Sequence, residues 1–101
     1  MKTALDTGAT YTMIPWKMAE VLELKPEVPE RKVDITTASG VVSVPLLAVK
    51  SLSFGTMSAN DVEVVVHDLP ERSRLDGLLG LSFLRHFKLC LDFKEGVLEI
   101  E

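Results

Sequence analysis

The sequence predicts a mainly β fold with two short helices, and three observations carry that prediction. From Arg31 onward, apolar residues recur at every second position, which is the side-chain period of a strand. Valine, isoleucine and threonine dominate those runs, and turn signals at Ser39-Gly40, Gly55 and Lys94-Glu95-Gly96 separate them. Helical spacing is confined to two short stretches.

The elements follow in order. Residues 2–6 read as a strand ending at Asp6, and Tyr11 to Met13 as a second short strand beyond a turn. Pro15 suits the first turn of a helix, where its missing N–H goes unused, and Ile14, Met18, Val21 and Leu22 share one helical face. Pro26 and Pro29 end that helix and stiffen residues 25–30 into a loop. Val33, Ile35 and Thr37 alternate with Lys32, Asp34 and Thr36; Ser39-Gly40 turns the chain, and Val41 to Val44 runs back as a hairpin. Leu46 to Phe54, a turn at Gly55, and Val62 to Val66 make a further pair, the last run apolar enough for a buried strand. Leu75-Asp76-Gly77 breaks the pattern as a turn, Leu78-Leu79-Gly80 is short and apolar, and Leu81 to Phe87 spaces as a short helix. Leu89 to Phe93 and Val97 to Ile100 close the chain as a hairpin. No repeat or linker interrupts this order, so residues 1–101 read as a single domain.

Composition narrows the function classes. A hydrophobic content of 47% is enough for a core and argues against disorder. The net charge of −4 argues against a nucleic-acid surface, because the basic spots at Arg31-Lys32 and at Arg72 with Arg74 are short and bordered by acids. Cys90 is the single cysteine, so no internal disulfide forms; between Leu89 and Leu91 it reads as a packed strand residue. No apolar run approaches the roughly 18 residues that span a bilayer, and no signal peptide is visible. The expectation is a soluble domain without membrane contact, cytoplasmic or of unknown compartment. His67 and His86 have no second ligand at metal spacing and read as structural or surface residues, so neither a metal nor a cofactor is expected. Asp92 reads as an exposed strand-end residue, and Trp16 as an anchor for the first helix. Gly77 and Gly80 lack the spacing of a phosphate loop.

The chemistry concentrates at Ala4-Leu5-Asp6-Thr7-Gly8-Ala9-Thr10. A short apolar approach delivers a carboxylate into a tight turn, where Gly8 lets the backbone close around the acid and a nearby N–H or hydroxyl can hold it. That arrangement suits an aspartic peptidase, whose mechanism needs two carboxyls sharing a proton around one water. Asp-Thr-Gly occurs once, so a second acid has to come from another copy of the chain.

With two further motifs in order, the chain resembles the retropepsin-like aspartic proteases, particularly their single-domain members from cellular genomes. Ala4 to Thr10 is similar to that family's active-site turn, Thr36-Thr37-Ala38-Ser39-Gly40 to the stretch entering its flap, and Asp76-Gly77-Leu78-Leu79-Gly80-Leu81-Ser82-Phe83-Leu84 to its Gly-flanked segment and C-terminal helix. The resemblance implies a closed barrel-like fold and a homodimer with the site on its two-fold axis. It implies that Asp6 is the catalytic carboxylate, that Thr7 braces the paired turns, and that Gly8 and Ala9 complete the turn. Thr37, Ala38, Ser39 and Gly40 then belong to a flap over a peptide or protein substrate, and Leu78, Leu79 and Gly80 support the turn from beneath. Members of the family carry one or two strands before the acid, whereas five residues precede Asp6 here, so the first strands are expected to be lacking. Two other readings stand beside the peptidase: a non-catalytic peptide-binding or dimerisation module with the same fold, and a purely structural domain. An acid retained in that turn weighs against both.

Overall fold

A computed structural model of the chain describes residues 3–70 and 75–101. Lys2, expected to open the first strand, and the basic pair Arg72 and Arg74 lie outside the described residues. The chain is mainly β with two short helices: β1 (Thr3–Leu5), β2 (Thr12–Ile14), α1 (Trp16–Val21), β3 (Arg31–Thr37), β4 (Gly40–Phe54), β5 (Met57–Val66), β6 (Gly77–Leu79), α2 (Leu81–Leu84), β7 (Leu89–Asp92) and β8 (Val97–Ile100). Six strands form one sheet in the order β1-β6-β2-β5-β4-β3, and β7 pairs with β8 alone. Among the described residues no ladder joins β1 to β3, so the hydrogen-bonded sheet stays open where a closed barrel was expected.

Sequence order and sheet order differ because β6 inserts between β1 and β2. It runs parallel to β1, with Leu5 opposite Leu79, and antiparallel to β2, with Met13 opposite Leu78. The residues on either side of Asp6 are therefore tied to a segment seventy positions later. Gly77, expected in a turn with Asp76, is the buried first residue of this strand.

β4 runs unbroken through Pro45, where two separate strands were expected. Pairing out from the Thr37–Gly40 turn puts Pro45 opposite Lys32. Hydrogen-bonded and non-hydrogen-bonded pairs alternate, and Pro45 falls in the second class, where β3 asks for no N–H. On the other side the β5 ladder begins only at Leu46, so no partner there needs the missing donor either.

The apolar residues gather in two clusters on opposite faces of the sheet. Val62, Val64 and Val66 of β5 join Ile14, Ala19, Val49, Leu52, Leu79, Phe83 and Leu84; Val65, one position out of phase, joins Val44 and Leu46. Burial on both faces explains why this run lacks alternation. Phe83 is fully buried, with an edge-on contact to Phe54 at 5.5 Å between ring centroids. Burial of such a ring contributes about 1.5–3 kcal/mol. α1 buries Ala19 and packs Met18 and Leu22 on the first cluster, but Val21, expected on the same face, is exposed. Trp16 stays 38% exposed, and it is its N–H, bonded to Asp68 Oδ1 at 3.0 Å, that ties the helix start down.

α2 ends at Leu84 instead of Phe87, and the chain turns into the β7–β8 hairpin. Leu89 packs on the first cluster, while Leu91 and Leu98 on the same hairpin face, and Phe93 in the turn, are exposed. Cys90 is exposed as well, a correction to its expected packing: it sits opposite Glu99 on the polar face of a hairpin with nothing stacked over it. Asp92 is exposed as expected and accepts the N–H groups of Lys94 and Glu95 at 3.0 and 3.1 Å, closing the hairpin turn.

Candidate active site

Asp6 leaves β1 half-buried and its backbone turns at once. The Gly8 N–H donates to Asp6 Oδ1 at 2.9 Å, and the Ala9 N–H donates to the Asp6 carbonyl at 3.2 Å. No other protein group among the described residues bonds that carboxylate, so its remaining lone pairs are open to water or substrate. Thr7 is exposed, and its hydroxyl bonds no other group among the described residues.

The loop is held from the β6–α2 junction. The Asp6 N–H donates to the Leu79 carbonyl at 2.9 Å, the Leu81 N–H to the Ala9 carbonyl at 2.8 Å and the Ser82 N–H to the Thr10 carbonyl at 3.0 Å. A side chain at Gly80 has no room. Its Cβ would collide with the Tyr11 carbonyl oxygen and lie 2.9 Å from that of Ala9. Beneath, Thr12 and Ser82 form a buried hydroxyl pair 2.9 Å apart, which the Gly80 and Thr12 N–H groups also join. Neither residue was singled out from the sequence; the available signal was a hydroxyl inside each of two otherwise apolar elements.

A cleft of about 380 Å³ separates the Asp6-bearing loop from β3. Gly8, Ala9 and Thr10 form one side, Asp34, Ile35 and Thr36 the other, and Tyr11, Met13, Val65 and Leu78 complete it. Asp6 and the four residues 37–40 are not part of its lining. Those four form the β3–β4 turn, with Ala38 and Ser39 at its tip, so Gly40 opens β4 one residue earlier than expected. The Thr37 hydroxyl donates to the Gly40 carbonyl at 2.9 Å and accepts the Ser39 N–H at 3.2 Å, and the positive φ falls on Gly40 at 121°. The structure thus brings Asp6, Gly8, Ala9, Leu78, Leu79 and Gly80 into one bonded unit and leaves residues 37–40 at a distance along the hairpin.

A larger depression, about 480 Å³, lies on the terminal hairpin between Cys90, Asp92, Glu95, Val97 and Glu99. None of Asp6, Thr7 and Gly8 is in its lining. No group of three or more His, Cys, Asp or Glu able to hold a metal occurs among the described residues. No described helix is long and apolar enough to cross a membrane.

Comparison with known proteins bears on the family and the fold. A family model described as aspartyl protease matches residues 1–83. Among solved structures, the chain is similar to a retropepsin-like aspartic protease from Rickettsia conorii, with a TM-score of 0.66 and 23% identity over 96% of this chain and 76% of that one. At that identity the likeness speaks for the fold. No curated protein sequence matches the chain.

Proposed function

The chain belongs to the aspartyl protease family, and from that premise we propose that it is an aspartic endopeptidase whose reaction centre is completed by a second copy. The observation that carries this reading is the Asp6 carboxylate, turned out of β1 on a backbone-braced loop and bonded, among the described residues, by the Gly8 N–H alone. One chain supplies one such acid. Two copies related by a two-fold axis supply a pair, with the Thr7 hydroxyls, which bond nothing among the described residues, placed to brace one turn against the other.

In the proposed dimer two neighbouring carboxyls cannot both ionise cheaply, so they share one proton. The ionised Asp6 takes a proton from water as its oxygen attacks the scissile carbonyl carbon. The protonated Asp6 hydrogen-bonds the carbonyl oxygen, which gains the charge. Transfer of a proton to the amide nitrogen then lets the C–N bond break, releasing an acid and an amine. Gly8 and Ala9 keep the backbone close to the acid, and Leu78, Leu79 and Gly80 hold the loop from beneath. An extended peptide would lie in the cleft between Gly8–Thr10 and β3, with Thr37, Ala38, Ser39 and Gly40 as the flap that closes over it.

Digestion of a peptide library at several pH values tests this. Wild-type protein should cleave with a bell-shaped pH profile, because one acid and one base are required. Asp6→Asn should abolish turnover while leaving the fold intact, since Asp6 is half-exposed and outside both core clusters. An Asp6→Asn protein that cleaves at the wild-type rate ends the proposal. The cleft's lining stops short of Asp6, which favours the second reading, a non-catalytic peptide-binding module. Peptide binding without cleavage by the wild-type dimer would establish that one instead.

A further inference from the structure

Resting on the peptidase reading, we propose that Thr12 and Ser82 are positioning residues for the Asp6 carboxylate, acting through the loop that carries it. Both are buried, at 0% and 2% exposure. The Thr12 N–H donates to Ser82 Oγ at 2.8 Å, the Ser82 hydroxyl donates to Thr12 Oγ1 at 2.9 Å, and the Gly80 N–H donates to the same Thr12 oxygen at 3.2 Å. No buried side-chain polar atom among the described residues lacks a partner.

Stability alone does not call for this pair. Two apolar side chains of the same shape leave a core nearly as stable as a satisfied polar pair, because buried hydroxyls first lose their bonds to water. What the hydroxyls add is direction. A valine in place of Thr12 would slide against residue 82 with little penalty, whereas these bonds fix one register between residues 80–82 and the start of β2. The same short stretch, Leu79 to Ser82, bonds Asp6, Ala9 and Thr10 through backbone groups. Both ends of the acid-bearing loop are thereby set by one register, and Thr12–Ser82 is the side-chain element of that register.

Precise placement matters because two carboxyls must flank one water, and misplacement by about 1 Å can cost roughly a hundredfold in rate. Thr12 and Ser82 do not touch the cleft, so the effect belongs to turnover and not to binding.

The test compares Thr12→Val, Thr12→Ser and Ser82→Ala at a temperature where circular dichroism shows each fully folded. Thr12→Val and Ser82→Ala should lower kcat roughly ten- to a hundredfold with KM within about twofold, and Thr12→Ser should recover kcat to within about threefold of wild type. A fully folded Thr12→Val enzyme with unchanged kcat, or one whose KM rises while kcat holds, overturns the inference. Amide hydrogen exchange supplies a readout without turnover. In Thr12→Val the Asp6 and Gly8 amides should exchange at least about tenfold faster relative to Val64 of β5. Uniform acceleration would mark a merely structural role and refute positioning. Should the wild-type protein cleave nothing, the peptidase reading fails, and the exchange result alone decides the role of the pair.

Discussion

At the residue scale, the acid-bearing turn depends on atoms that are absent as much as on those present. Gly80 lies against the Tyr11 and Ala9 carbonyls, so a single methyl group there meets backbone, which cannot rotate away as a side chain would. Gly80→Ala should therefore destabilise the protein by about 1–3 kcal/mol, the usual range for overpacking. Urea unfolding measures it; an unchanged midpoint would show that the loop yields freely, contrary to the bonds drawn at Asp6, Ala9 and Thr10. The triplet Asp6-Thr7-Gly8 was legible as a carboxylate turn because its residue types act locally. Thr12 and Ser82 were not, since a hydroxyl seventy positions from its partner carries no local signal.

At the element scale, the long β4–β5 hairpin changes face part-way along. Val49 and Leu52 both enter the first cluster although three positions apart, which a strict period of two forbids. The break falls where Lys50 and Asp61 would pair: the ladder steps from Val49–Val62 to Ser51–Asn60 across them, and Asp61 has a φ of 55°. The left-handed residue rotates the outer ribbon so that Leu52 and Ala59 also reach the core. Aspartate tolerates that conformation better than most residues, and a β-branched residue tolerates it poorly. Asp61→Val should cost about 1–2 kcal/mol in urea unfolding, and Asp61→Gly should cost nothing or stabilise slightly. Equal stability for the two variants would remove strain as the reason for aspartate there. This kink was not placed from the sequence, because Asn60-Asp61, though a pair that tolerates left-handed backbone, lies inside a run that continues as a strand on both sides.

At the scale of the whole molecule, the proposal of a shared reaction centre has a consequence that no single-chain site has. Mixing wild-type protein with inactive Asp6→Asn should suppress cleavage, since each heterodimer holds one carboxylate only. With random pairing and a tenfold excess of the variant, activity should fall to roughly a tenth, because most wild-type chains then lack a wild-type partner. Full activity in the mixture, after time for exchange, would show that one chain suffices. A two-stranded ribbon is marginal on its own, and the terminal hairpin leaves the cross-strand pair Leu91 and Leu98 exposed, with Phe93 in its turn 88% exposed.

What the sequence determined by itself was the set of elements and the chemistry of one turn. Strand period, proline punctuation and the Asp-Thr-Gly corner are local properties, and local sterics and hydrogen bonding decide them. The tertiary structure decided which strands are neighbours: β6 between β1 and β2, β4 continuous through Pro45, the sheet open between β1 and β3, Cys90 and Val21 in solvent. Those outcomes depend on which apolar faces bury one another across long stretches of chain. That competition is settled by packing of the whole, and no window of residues contains it.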